Sequence, residues 1–109
     1  MWNLTAMSLL FTIAVHVDGV ECLALLDSGA SENFISHVLA NSLQLPRHKL
    51  RNPFTVKAAN GELIRVKTFA RLSVYVDTFV LRFSLRTGHM HPQIVLGMPF
   101  LRAYNPHIN

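Results

Sequence analysis

Asp27 is the residue whose setting most invites chemistry. It closes the apolar run Leu23-Ala24-Leu25-Leu26 and is followed at once by Ser28-Gly29. A carboxylate at the end of such a run is costly to bury unless it is paired or hydrogen-bonded. Two readings account for it. Asp-Ser-Gly is a common Asx-turn sequence, in which the carboxylate only accepts from nearby backbone. Alternatively the carboxylate works as a general acid or base on something held beside it. The remaining acids have no comparable setting. Asp18 falls in a turn, Glu21 and Asp77 sit at strand ends, Glu32 opens an expected helix, and Glu62 borders a hairpin.

Other reactive side chains offer less. His89 and His91 are spaced to share a strand face, but no third ligand accompanies them, so a solvated loop is favoured over a metal site. Cys22 is the single cysteine, which excludes an internal disulfide framework and a four-cysteine zinc site. Between Glu21 and Leu23 it reads as a buried, inert thiol. Trp2 and the methionines read as packing.

The elements that must position Asp27 follow from periodicity. Leu9, Phe11, Ile13, Val15 and Val17 alternate with polar residues as a strand. Asp18-Gly19 supplies the positive φ angles of a two-residue hairpin turn. The return strand, Val20 to Leu26, is nearly continuous in apolar residues, as for a strand buried on both faces. From Glu32 the spacing of Phe34, Ile35, Val38, Leu39 and Leu43 predicts a helix, with Ser31 as its N-cap and Pro46 beyond its end. Strands resume at Phe54 to Ala58 and Glu62 to Phe69 around an Asn60-Gly61 tip, and then at Leu72 to Val76 and Phe79 to Leu85. Thr87 to Pro92 is expected as a loop. Ile94 to Leu96 is a short buried strand ending at Gly97, and Pro99 starts a short helix through Tyr104.

Composition sets the frame. The chain has 109 residues, enough for one domain, with its core expected over about residues 8–108. Half of it is apolar and only 15% is charged, which excludes a disordered segment. So few charges cover a small monomer poorly, and a partner is expected over part of the apolar surface. Ten Lys and Arg against six Asp and Glu give +4. The cations run from Arg47 to Arg102 without forming a block, so a solvated, positively biased face is favoured over a nucleic-acid surface. The apolar stretch Leu4 to Val17 has no basic n-region or small-residue cleavage site and is too short to span a bilayer. The expected setting is cytoplasmic, without membrane attachment.

Leu25-Leu26-Asp27-Ser28-Gly29-Ala30-Ser31, followed by Phe34-Ile35, resembles the active-site motif of retropepsin-type aspartic proteases. Some seventy residues on, Ile94-Val95-Leu96-Gly97-Met98-Pro99-Phe100-Leu101 and Tyr104-Asn105-Pro106-His107-Ile108 resemble their second signature. The wording is closer to the Ty3/gypsy retroelement proteases than to the vertebrate retroviral enzymes. Val56-Lys57-Ala58-Ala59-Asn60-Gly61 resembles the flap hairpin of those elements. Departures are also visible. The motif is Asp-Ser-Gly and not Asp-Thr-Gly, Ser31 stands where retroviral enzymes carry an acid, and Met98 where they carry an Arg.

The resemblance implies an all-β, closed retropepsin-like barrel with one main helix and a flap. It also implies an aspartic endopeptidase that needs no metal or cofactor and processes its own polyprotein, or a host protein if the gene has been domesticated, in the cytoplasm or within a retroelement or virus-like particle. Such chemistry uses two carboxylates, one as base to a water and one as acid to the peptide carbonyl. With one Asp-Ser-Gly per chain, Asp27 must meet Asp27 of a second copy across a two-fold axis. Asp27, Ser28 and Gly29 are then the catalytic set, with the Ser28 hydroxyls bracing the two loops. Ala30, Ser31, Ala58, Ala59, Asn60, Gly61, Val95 and Leu96 are the substrate-binding set, around an extended peptide. The alternatives are a retropepsin-like module that dimerises or binds peptides without catalysis, and a small basic β-domain that binds nucleic acid.

Overall fold

The computed structural model describes residues 10–58 and 61–108. β1 (Leu10–Val17) and β2 (Val20–Asp27) form an antiparallel hairpin in register from Val17↔Val20 to Leu10↔Asp27. Asp18 and Gly19 both take positive φ, 53° and 76°, as the two-residue turn requires. Three further elements follow in order: β3 (Phe34–Ser36), α1 (His37–Ser42) and β4 (His48–Lys57). The chain then continues through β5 (Leu63–Val76), β6 (Phe79–Gly88), β7 (Ile94–Leu96) and α2 (Met98–Ile108). The strands make one seven-stranded sheet in the order β1-β2-β7-β3-β6-β5-β4. It closes on itself where His16 of β1 pairs with Tyr75 of β5, so the strands form a ring with β4 outside it. This mostly-β ring with two short helices agrees with the all-β expectation.

Inside the ring, Val15, Val17, Cys22, Ala24 and Leu26 meet Leu72, Val74, Leu85, Ile94, Leu96 and Phe100. Removing such side chains from water is the main stabilising term in a chain of this size. Burial together with the nearby Glu21 charge pushes the Cys22 thiol upward, which keeps it protonated and inert at neutral pH. A smaller cluster of Phe34, Ile64 and Val66 lies beneath the β4–β5 hairpin, joined by Val56, Ala58, Met90 and Val95.

Several sequence expectations are corrected. Phe34 to Ser36 is not helical but a buried strand, parallel to β6 and antiparallel to β7. The helix starts only at His37, and its N-cap is Ser36, whose hydroxyl accepts from the Leu39 N–H at 3.1 Å, not Ser31. Phe34 and Ile35 are adjacent apolar residues that fit either period, and burial on both faces decides for the strand. Val38, assigned to the apolar stripe, is 77% exposed. β2 is buried on one face only, since Leu23 is 57% exposed. The segments 62–69 and 72–76 are one 14-residue strand, and Thr87-Gly88 belongs to β6 and not to the loop. α2 runs from Met98 to Ile108, longer than the expected helix through Tyr104.

Candidate active site

The parallel pairing of β2 with β7 places the site. Leu26 lies opposite Leu96, so the two strands leave the sheet at the same end, and the turns that follow them, Asp27-Ser28-Gly29 and Gly97-Met98, meet. In the first turn the Gly29 N–H donates to Asp27 Oδ1 at 2.8 Å, and the Ala30 N–H donates to the Asp27 carbonyl at 3.1 Å. The Asx-turn is therefore real. It also fixes the direction of the carboxylate, so the structural and the chemical readings of Asp27 are compatible.

The segment after the turn is held from two sides. The Met98 N–H donates to the Ala30 carbonyl at 2.8 Å, and the Gly97 N–H donates to Asn33 Oδ1, also at 2.8 Å. Asn33 is only 2% exposed, a buried polar side chain whose amide is used to join the loops. From β6, the Arg86 N–H donates to the Asn33 carbonyl, and the Arg86 guanidinium lies 3.6 Å from Glu32. Gly97 is required by contact, since a Cβ there would come within 2.5 Å of the Ala30 carbonyl oxygen and 2.4 Å of that of Glu32. With Ser31 and Met98 at these positions, the loop is held by the Met98–Ala30 backbone bond, the Asn33 amide and the neighbouring Glu32–Arg86 pair.

A cleft of about 500 Å³ opens over Asp27. Asp27, Gly29, Ala30 and Ser31 line one side of it, with Leu25, Phe34 and Val95. The β4–β5 hairpin supplies Val56, Lys57, Ala58, Glu62 and Ile64, and the segment before β7 supplies Met90, His91 and Pro92. The hairpin end is tied by the Ala58 N–H to the Glu62 carbonyl at 2.8 Å and by the Gly61 N–H to the Ala58 carbonyl at 2.9 Å, with Gly61 at φ 90°. The walls are largely apolar, and charge enters through Asp27, Lys57 and Glu62. Such a cleft suits an extended chain whose side chains enter apolar pockets.

Of the sequence-predicted residues, Asp27, Gly29, Ala30, Ser31, Ala58 and Val95 all border this cleft. Ser28 is buried beneath the turn, and Gly61 lies at the hairpin end outside the lining. Leu96 is fully buried and faces the core, because strand alternation turns it away from the side that Val95 presents. Ala59 and Asn60 lie outside the described residues. Sequence reasoning missed the hairpin walls Val56 and Ile64, which are cross-strand partners, and the segment Met90 to Pro92. The register set by the hairpin turn carried the first signal. Nothing in the composition of the segment 90–92 pointed to the second.

Among the described residues, no group of three or more His, Cys, Asp or Glu could hold a metal ion. His37 and His89 meet edge to face with ring centroids 4.7 Å apart. Burial, then the His89 and Arg47 charges, lower the His37 imidazole below the ordinary histidine range. Among the described residues, no helix is long and apolar enough to cross a membrane.

The ring of strands, the turn at Asp27 and the overlying hairpin define a retropepsin-like fold. The chain superposes on the EIAV protease complexed with the inhibitor HBY-793 with a TM-score of 0.72, at 14% identity, over 96% of this chain and 94% of that one. It also superposes on the retroviral protease-like domain of Ddi1 from Leishmania major with a TM-score of 0.64, at 13% identity, over 88% of this chain and 78% of that one. No curated protein sequence matches the chain. The family described as the PEG10/RTL1 protease domain matches residues 23–109, and the chain belongs to that family.

Proposed function

We propose that the chain is an aspartic endopeptidase that works as a homodimer, each copy contributing Asp27. The observation that carries this reading is the placement of the Asp27 carboxylate, oriented by the Gly29 N–H, in a cleft bordered by a β-hairpin. Two such carboxylates facing each other share one proton, because like charges at close range resist joint ionisation. The ionised partner takes a proton from water while the protonated partner gives one to the peptide carbonyl, and the roles reverse as the bond breaks. The hairpin pairs with the extended substrate strand to strand and excludes water. The polyprotein from which the domain derives is the proposed substrate, in a cytoplasmic setting or within a retroelement particle.

The test is cleavage of a diverse pool of unstructured peptides, read by mass spectrometry at mildly acid and neutral pH. The protein is used at high concentration beside the Asp27→Asn variant. Cuts made by the wild type and absent from Asp27→Asn support the reading. A folded, dimeric wild type that makes no cut at either pH moves the function to a peptide-binding or dimerisation module.

A further inference from the structure

The cations that are scattered along the sequence are gathered by the fold. In β5 the burial pattern alternates, apart from the half-buried Thr68-Phe69 step, with even-numbered residues such as Ile64, Val66, Ala70 and Leu72 facing inward. The odd-numbered side carries Arg65, Lys67, Phe69 and Arg71 outward. Antiparallel partners share a face, so Arg82 of β6, opposite Ser73, and His48 of β4, opposite Phe69, join the same surface. Arg65, Lys67, Arg71, Arg82 and His48 are all exposed. β4, β5 and β6 contain no Asp or Glu. Arg86, on the same face, is committed to Glu32. The Asp27 cleft draws on the opposite side of β5, through Ile64.

The centre of this face is a stacked set. The Arg71 guanidinium lies over the Phe69 ring, 5.5 Å from its centroid, and the His48 ring lies tilted 5.2 Å from the same ring. A planar cation on an aromatic ring is a stacking surface as well as a charge. Cations two residues apart along an extended strand, interrupted by an aromatic platform, present phosphate partners and a base-stacking site in one row. An acidic peptide would match the charge but would leave the platform unused.

We infer that the outer face of β4, β5 and β6 binds single-stranded nucleic acid, with Arg65, Lys67, Arg71 and Arg82 on phosphates and the Phe69–Arg71 stack under a base. The inference does not depend on the protease reading, because it concerns the other side of β5. The test is fluorescence anisotropy of a labelled uridine 20-mer against salt concentration. Four phosphate contacts on a single strand give a slope of log K against log salt of about −3. Joint replacement of Arg65→Gln, Lys67→Gln and Arg71→Gln flattens that slope by about 2. Phe69→Leu weakens binding about tenfold at unchanged slope, whereas Phe69→Tyr, which keeps a ring, retains it. Arg102→Gln, an exposed change on α2, leaves binding as it was. Each variant is first shown to unfold cooperatively. Absence of binding at low salt overturns the inference. So does a triple variant that binds like the wild type, equal binding by Phe69→Leu, or retention on phosphatidylserine vesicles without retention of the oligonucleotide.

Discussion

The side-chain oxygen of Asn33 accepts a hydrogen bond from the backbone N–H of Gly97 at 2.8 Å, across 64 positions of sequence. This bond joins the segment that leaves β2 to the segment that leaves β7. Since β2 and β7 are parallel, neither turn is closed by a hairpin partner, and the buried Asn33 side chain adds to the one backbone bond, Met98 N–H to the Ala30 carbonyl, that also links the two segments. Asn33 thus positions Asp27 without touching the cleft.

Asn33→Ala therefore leaves the Gly97 N–H buried without its acceptor. The expected loss is about 1–3 kcal/mol of stability, the usual cost of a buried donor left unmade. Urea denaturation measures it, and a midpoint unchanged from the wild type would show that the Asn33 link contributes nothing.

Gly97→Ala acts on the same junction from the other side. The added Cβ meets backbone carbonyl oxygens of Glu32 and Ala30, which cannot rotate aside as a side chain would. Overpacking of this kind costs about 1–3 kcal/mol, and here the displaced backbone carries the Asp27 turn. The expected outcome is a lowered Tm together with a loss of peptide cleavage that Ala substitution at Ser42, exposed at the end of α1, does not produce. Equal effects at Gly97 and Ser42 would refute the contact argument.

How much of this was legible in the sequence depends on whether the signal was local. Strict alternation gave β1 and the Asp18-Gly19 turn, because strand period and positive-φ chemistry are written in adjacent residues. The Asp27 motif stood out for the same reason. Phe34 to Ser36 fits a helical spacing in the sequence because a three-residue strand between two neighbours shows no period of its own. The motif places Leu96 at the cleft because it names a run, whereas alternation divides that run between Val95 at the cleft and Leu96 in the core. The pairing of Asn33 with Gly97 and the addition of Arg82 and His48 to the face that Arg65, Lys67 and Arg71 share along β5 depend on register between strands. Residue spacing does not encode that.

The His37 imidazole gives a pH dependence of stability. Burial, with His89 and Arg47 adding like charge, holds its folded value below that of the unfolded chain. Between those two values the unfolded state binds more protons, so the contribution is fully present above about pH 6.5 and is lost as pH falls through the histidine range. Urea midpoints measured from pH 8 to pH 5 should fall more steeply for the wild type than for His37→Gln. Parallel profiles would show that the histidine pair does not contribute.

The two-fold arrangement proposed for Asp27 is tested by mixing. If each active unit takes one Asp27 from each of two chains, a wild-type chain paired with Asp27→Asn is inactive. Equal amounts of the two proteins, allowed to exchange, should then lower activity per wild-type chain to about half, since random pairing places half of the wild-type chains with a variant partner. A larger excess of the variant should suppress activity further, and dilution of the wild type alone should lower its specific activity as dimers dissociate. Activity per wild-type chain that is indifferent to both the variant and dilution would mean that one chain carries the whole site. Glu62, which also borders the cleft, would then be the second carboxylate to replace.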